Sequence, residues 1–233
     1  MSAPIITAHA GIEVVRDDLF PGGTKARFLP ALFENAAEVV YASPAEGGAQ
    51  TALATVAAQL GKKATIFIAK RAQPHPRAFM AKRLGAQVLQ VAPGYLSVVQ
   101  ARARDYAADH GAKLAPFGVD MPEAIAAISA AARASGADPD EVWCASGSGV
   151  LARALAAAWP NARRHVVQVG RELSAADVAG ATIHVHPLAF SQACRKPPPF
   201  PSDPHYDAKA WELCAARHGA GRVLFWNVTS PAA

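Results

Sequence analysis

Cysteine is scarce: Cys144, Cys194 and Cys214 are the only three in 233 residues. Their odd number and wide spacing exclude a disulfide framework and give no metal-site pattern, which fits a reduced compartment and a cytosolic protein. Apolar runs stop short of the about 18 residues that a membrane span needs. The start, Met1 to Ile6, lacks the basic residues and apolar core of a signal peptide. No internal repeat is visible, nor any zinc-finger spacing or arginine–aromatic interleaving. Acidic charge is in deficit, with a net charge of +5. The basic pairs Lys62-Lys63, Lys70-Arg71, Lys82-Arg83 and Arg163-Arg164 fit solvated helix faces and loop ends. The alternative is an anionic partner, such as a nucleic acid, held through its phosphates. Charge alone does not choose between them.

What is abundant is apolar residues, 52% of the chain, enough for a core in one domain or two small lobes. Short apolar runs alternate with helical patterns. Glu38 to Ser43, Ala64 to Ala69, Gln87 to Val91 and Lys113 to Pro116 read as strands. Thr51 to Leu60, Pro76 to Leu84 and Tyr95 to His110 read as the helices between them. A second set follows, with helices at Pro122–Ser135, Val150–Ala158 and Asp207–His218. Its strands are Glu141–Ala145, Val166–Val169, Thr182–Val185 and Arg222–Trp226. This alternation predicts an α/β fold of two lobes with doubly wound, mostly parallel sheets. The expected lobes are 36–118, the smaller, and 1–35 with 119–233, the larger.

Two stretches carry chemistry. In Gly22-Gly23-Thr24-Lys25 a lysine follows two glycines and precedes the apolar residues Ala26, Phe28 and Leu29. Glycines allow a sharp turn that aims the next side chain inward. A desolvated lysine has a lowered pKa and becomes a nucleophilic amine able to form a Schiff base. The alternative is a surface lysine beside a turn. Ser146-Gly147-Ser148-Gly149 joins a strand to a helix opened by Val150, so its backbone N–H groups and the helix dipole suit a phosphate. A tight glycine turn gives the same letters. His184 and His186 alternate on a strand but lack a third ligand, which favours structural histidines.

Val14-Val15-Arg16-Asp17-Asp18-Leu19, with Gly22 to Leu29 after it, resembles the K/R-x-D-L…G-G-N-K-x-R-K-L signature of fold type II pyridoxal-phosphate enzymes. The pattern is most similar to 1-aminocyclopropane-1-carboxylate deaminase and D-cysteine desulfhydrase. The resemblance implies that Lys25 holds pyridoxal 5′-phosphate as an internal aldimine and that Ser146 to Val150 bind its phosphate. Thr24 stands where asparagine is usual. Ser43 to Gln50 resembles the loop that holds the substrate carboxylate and the cofactor's 3′-oxygen, which implies Gly48, Ala49 and Gln50 as binding residues. The family's asparagine over the ring is absent there, and Glu46 is either a general acid/base, a reader of a positive group, or a solvated loop residue. Pro116-Phe117-Gly118 resembles the P-x-G-G segment. Ser202 to Lys209 resembles D-P-V-Y…K, which makes Tyr206 a candidate proton donor or a buried structural tyrosine. Leu224 to Ser230 lies where the family has L-F-x-H-T-G-G, so Asn227 or Thr229 is the expected partner of the pyridine nitrogen.

The reading implied is a shortened lyase acting at the α-carbon of an amino-acid-type substrate, by elimination or deamination, in a homodimer. The alternatives are a decarboxylase or lyase tailoring an amino acid attached to a nucleic-acid base (DNA hypermodification), and a non-catalytic cofactor-binding homologue.

Overall fold

Strand–helix alternation builds two parallel sheets in a computed structural model that describes residues 2–92 and 94–231. Strands β1 (Ile6–His9) and β2 (Ile12–Arg16) form an antiparallel hairpin that the sequence pattern does not announce. The segment after it is not a regular helix. It forms short 3₁₀ turns at Asp17–Leu19, Thr24–Arg27 and Leu29–Phe33. Pro30 lies in the first turn of the last one, where its missing N–H leaves no bond unmade.

Next come β3 (Glu38–Ala42), α1 (Ala49–Leu60), β4 (Lys63–Ala69), α2 (Pro76–Arg83), β5 (Gln87–Val91), α3 (Leu96–Asp109) and β6 (Lys113–Leu114). The sheet order is β5-β4-β3-β6, all parallel. Val99, Ala103 and Ala107 of α3, spaced by one helical turn, pack on Val40, Ala42, Phe67 and Val91. Alternation then turns the buried Val39, Tyr41, Ile66 and Ile68 to the opposite face. A strand covered on both faces reads as a continuous apolar run, as Lys63–Ala69 does.

The chain returns through α4 (Pro122–Ala134), β7 (Glu141–Ser146), α5 (Val150–Ala158), β8 (Arg163–Gln168), β9 (Thr182–Val185), α6 (Asp207–Arg217) and β10 (Val223–Asn227). The six-stranded order is β1-β2-β10-β7-β8-β9, with only the β1–β2 pairing antiparallel among the described strands. Trp143, Ala145, Val167 and Phe225 meet Ala210, Trp211 and Cys214 of α6 in the main core. Each large apolar side chain buried there contributes about 1.5–3 kcal/mol.

The described residues fall into two compact units, one of the residues up to Thr24 with Met121–Pro231, the other of Lys25–Asp120. Residues 25–35, expected in the larger lobe, go with the smaller unit. The reason is the 3₁₀ turn Leu29–Phe33, whose buried Leu29, Leu32 and Phe33 pack beside α1 and β3. No helix among the described residues is long and apolar enough to cross a membrane.

Candidate active site

The backbone leading into Lys25 is fixed by groups distant in sequence. Gly23 has φ +67°, and a Cβ there would lie 2.4 Å from the Val228 carbonyl oxygen, so only glycine fits. Thr24 N–H donates to that same carbonyl at 3.0 Å. The Thr24 hydroxyl donates to Asp17 Oδ2 at 2.7 Å and accepts from Trp226 Nε1 at 2.9 Å. Asp17, Thr24 and Trp226 are all buried. Threonine where the resemblance expects asparagine is therefore a residue whose hydroxyl is used as donor and acceptor at once. Lys25 itself is half-buried and stands in the first 3₁₀ turn after the lock.

At the end of β7 the fully buried strand gives way to Ser146–Gly149. Gly149 has φ +88°, and a Cβ there would meet the Asp177 carbonyl oxygen at 2.0 Å. Gly149 N–H donates to Ser146 Oγ at 2.9 Å, closing the turn on itself. No side chain caps α5. The N–H groups of Val150 and Leu151 meet no acceptor among the described residues, and the Ser148 hydroxyl is likewise unengaged. An uncapped helix start of this kind fits a phosphate through backbone donors and the dipole.

Tyr206 sits against this loop, its hydroxyl 3.9 Å from where a Cβ on Gly147 would stand. Burial, reinforced by the Asp207 carboxylate, pushes the Tyr206 phenol well up from its ordinary value. Such a phenol keeps its proton and is a poor acid at neutral pH. Asn227 is completely buried, with both ends of its amide taken: Nδ2 donates to Pro201 O at 2.8 Å and Oδ1 accepts from Ser202 Oγ at 2.9 Å. Thr229 bonds only through its backbone, N–H to Asp207 Oδ2 at 3.2 Å and carbonyl to the Asp203 N–H, leaving its hydroxyl unengaged among the described residues.

In the smaller unit, Gly48 precedes α1 without a side-chain cap and Ala49 opens the helix. Gln50 is buried and its Nε2 donates to the carbonyls of Pro44 at 3.0 Å and Ala45 at 2.7 Å, so it braces the loop from within. Glu46 is ion-paired with Arg71 at 2.9 Å. The buried Arg77 lies close against Gly48, its Nη1 3.4 Å from where a Cβ would stand.

Sequence reasoning missed Arg171. Its Nη2 donates to Asp177 Oδ1 at 2.7 Å and to the Ser148 carbonyl at 3.4 Å, and Asp177 is held further by Ser174. This strap ties the 170s loop to the glycine turn. No local spacing signals it. His184 pairs with His165 at 3.0 Å, and both stack on Trp143, whereas His186 faces Glu212 at 3.6 Å. The two histidines thus serve different neighbours, and no group of three or more metal-binding side chains occurs among the described residues.

Parallel sheets, with a glycine turn opening an uncapped helix, are the build of an α/β protein that holds a phosphorylated ligand. The family model for pyridoxal-phosphate dependent enzymes matches residues 4–220, and the chain belongs to that family. Its cofactor is pyridoxal 5′-phosphate, which the donors at the start of α5 suit. Among solved structures, an ACC deaminase homologue superposes with a TM-score of 0.81 at 16% identity, over 98% of this chain and 90% of that one. Diaminopropionate ammonia lyase from Escherichia coli gives 0.67 at 16% identity, over 94% and 78%. Threonine deaminase isoform 2 from Solanum lycopersicum gives 0.71 at 16% identity, over 94% and 75%. The fold is that of the fold type II enzymes. A search of curated proteins finds no match.

Proposed function

We propose that the chain is a lyase of the elimination and deamination class, acting at the α-carbon of an amino-acid-type substrate, with Lys25 as its cofactor lysine. The observation that carries this reading is the lock before Lys25, where Gly23 and Thr24 are held by Val228, Asp17 and Trp226. A rigid backbone there keeps the lysine amine aimed, which is what proximity catalysis requires.

Bound pyridoxal phosphate supplies the electron sink for negative charge at the α-carbon. Lys25 Nζ would hold the cofactor, and its amine would take up and return the proton at the substrate α-carbon. The first N–H groups of α5, with the Ser148 hydroxyl, bind the phosphate. The start of α1, around Gly48, Ala49 and Gln50, receives the substrate carboxylate. Thr229, with its unengaged hydroxyl, is the better partner for the pyridine nitrogen than Asn227, whose amide nitrogen and oxygen are each already engaged. A neutral partner there would leave that nitrogen largely unprotonated, which would favour elimination over reactions that demand the strongest sink. Glu46 would have to leave Arg71 to move a proton, so proton transfer is assigned to Lys25.

The test is an absorbance titration with pyridoxal phosphate, wild type beside Lys25→Ala, with borohydride reduction and mapping of the modified peptide. Attachment at Lys25, followed by ammonia and 2-oxo acid release from threonine, 2,3-diaminopropionate or 1-aminocyclopropane-1-carboxylate, is the expected result. Attachment elsewhere overturns the Lys25 assignment, and attachment without turnover of any amine favours a non-catalytic binder.

A further inference from the structure

The four-stranded sheet carries a second place for a ligand. Its chain order runs from β3 outward through β4 to β5, then returns to place β6 on the other side of β3. That reversal makes β3/β6 the topological switch point of the sheet, and open α/β sheets take ligands in the crevice beyond the carboxyl ends of the strands there. A cavity of about 180 Å³ lies at this point, lined by Ala42, the last residue of β3, and Leu114, the last of β6. Pro116 and Phe117 continue its apolar wall, and Gln100 and Arg104 of α3 line it too.

Three features describe the occupant. The volume is close to that of the ~150 Å³ apolar cavities that take up a benzene-sized molecule. Leu114 and Phe117 remain 38% and 42% exposed, so apolar surface at the cavity still meets water. Gln100 and Arg104 are four residues apart and share one face of α3. Neither makes a hydrogen bond or an ion pair among the described residues. A guanidinium beside an apolar wall is suited to a planar anion, above all a carboxylate.

We propose that the β3/β6 crevice is a binding site for a small organic monocarboxylate, its apolar body against Leu114, Pro116 and Phe117 and its carboxylate on Arg104. This site lies wholly within Lys25–Asp120 and does not depend on the reaction assigned above. Gln100 adds an amide that can donate to the same carboxylate.

The test uses benzoate as probe, titrated into the cofactor-loaded protein and followed by amide chemical shifts. Saturable shifts centred on residues 100–117 are expected. Affinity should fall at least 10-fold in Arg104→Ala, an exposed position whose replacement leaves the fold intact, and at least 10-fold for neutral benzamide. No saturable shift in that segment overturns the proposal. So does unchanged affinity in Arg104→Ala, equal binding of benzamide, or shifts confined to residues 47–50 at the start of α1.

Discussion

The hydroxyl of Thr24 stands between the Asp17 carboxylate and the Trp226 indole, donating to one at 2.7 Å and accepting from the other at 2.9 Å. Thr24→Val keeps the shape and removes both bonds, taking one hydrogen bond from a buried carboxylate and the bond of a buried indole N–H. We expect a loss of about 1–3 kcal/mol in urea denaturation. Thr24→Ser keeps the oxygen and should lose about 1 kcal/mol or less, the value of a methyl.

Gly149 and Gly180 have similar backbone angles, φ +88° and +75°, but different surroundings. A Cβ at Gly149 would strike the Asp177 carbonyl at 2.0 Å, whereas at Gly180 it meets open space. Gly180→Ala should cost only the conformational penalty, about 1–2 kcal/mol. Gly149→Ala must displace backbone, so we expect a greater loss of thermal stability together with loss of cofactor affinity in the absorbance titration.

Tyr206→Phe removes the hydroxyl beside the Gly147 backbone without changing the ring. Because burial raises the phenol's pKa, no limb of the pH–rate profile between pH 6 and 9 belongs to it, and the variant's profile should keep its shape. The folded pKa lies above the unfolded value of about 10. The neutral phenol therefore stabilises the fold below that pH, and stability falls as pH rises past it. Denaturation midpoints from pH 9 to 11 should decline less steeply in the variant.

His165 and His184 titrate in the opposite sense. Burial lowers both; Arg163 acts with it on His165, and His165 and Arg217 act with it on His184, while Glu141 opposes. A histidine whose folded pKa is depressed is most stabilising when neutral, so stability is lost as pH falls through the unfolded value of about 6.5. Their mutual bond at 3.0 Å also needs one neutral ring as acceptor. The double variant His165→Gln/His184→Gln should flatten the fall in urea midpoint between pH 7.5 and 5.5.

The Glu46–Arg71 pair has an arginine side chain that is half exposed. Glu46→Gln should change stability by less than about 1 kcal/mol. With proton transfer assigned to Lys25, its kcat should stay within a few-fold of wild type in the ammonia-release assay.

What could be read from the sequence was local. Ala64 to Ala69 declares a two-face-buried strand because every residue is apolar or β-branched, and Gly61 and Gly85 mark helix ends through their own backbone freedom. Lys25 and Ser146–Gly149 stood out because glycine beside a reactive or polar residue is a local pattern. The hairpin of β1 and β2 did not, since Ile6–His9 is four residues with polar alternation and gains its strand character from pairing. The need for glycine at position 23 rests on Val228, and the choice of threonine at 24 rests on Trp226. Arg171 was invisible for the same reason, as its partners belong to a loop and a turn that only the fold brings together. The placement of residues 25–35 turned on packing of Leu29 to Phe33, not on any break in composition.

The position of β10 has a consequence for synthesis. This last strand among the described residues lies in the interior of the six-stranded sheet, pairing Trp226 with Val15 on one side and Cys144 on the other. While the ribosome still holds residues 223–227, β2 and β7 have no partner between them and the sheet is two fragments. Lys25–Asp120, by contrast, is one uninterrupted stretch whose four strands have all emerged long before. Vectorial folding therefore completes the smaller unit first and leaves the Gly23–Thr24 clasp open until Trp226 and Val228 have emerged, about 200 residues after Gly23 and Thr24. The backbone that leads into Lys25 is thus fixed only after β10 has joined the sheet.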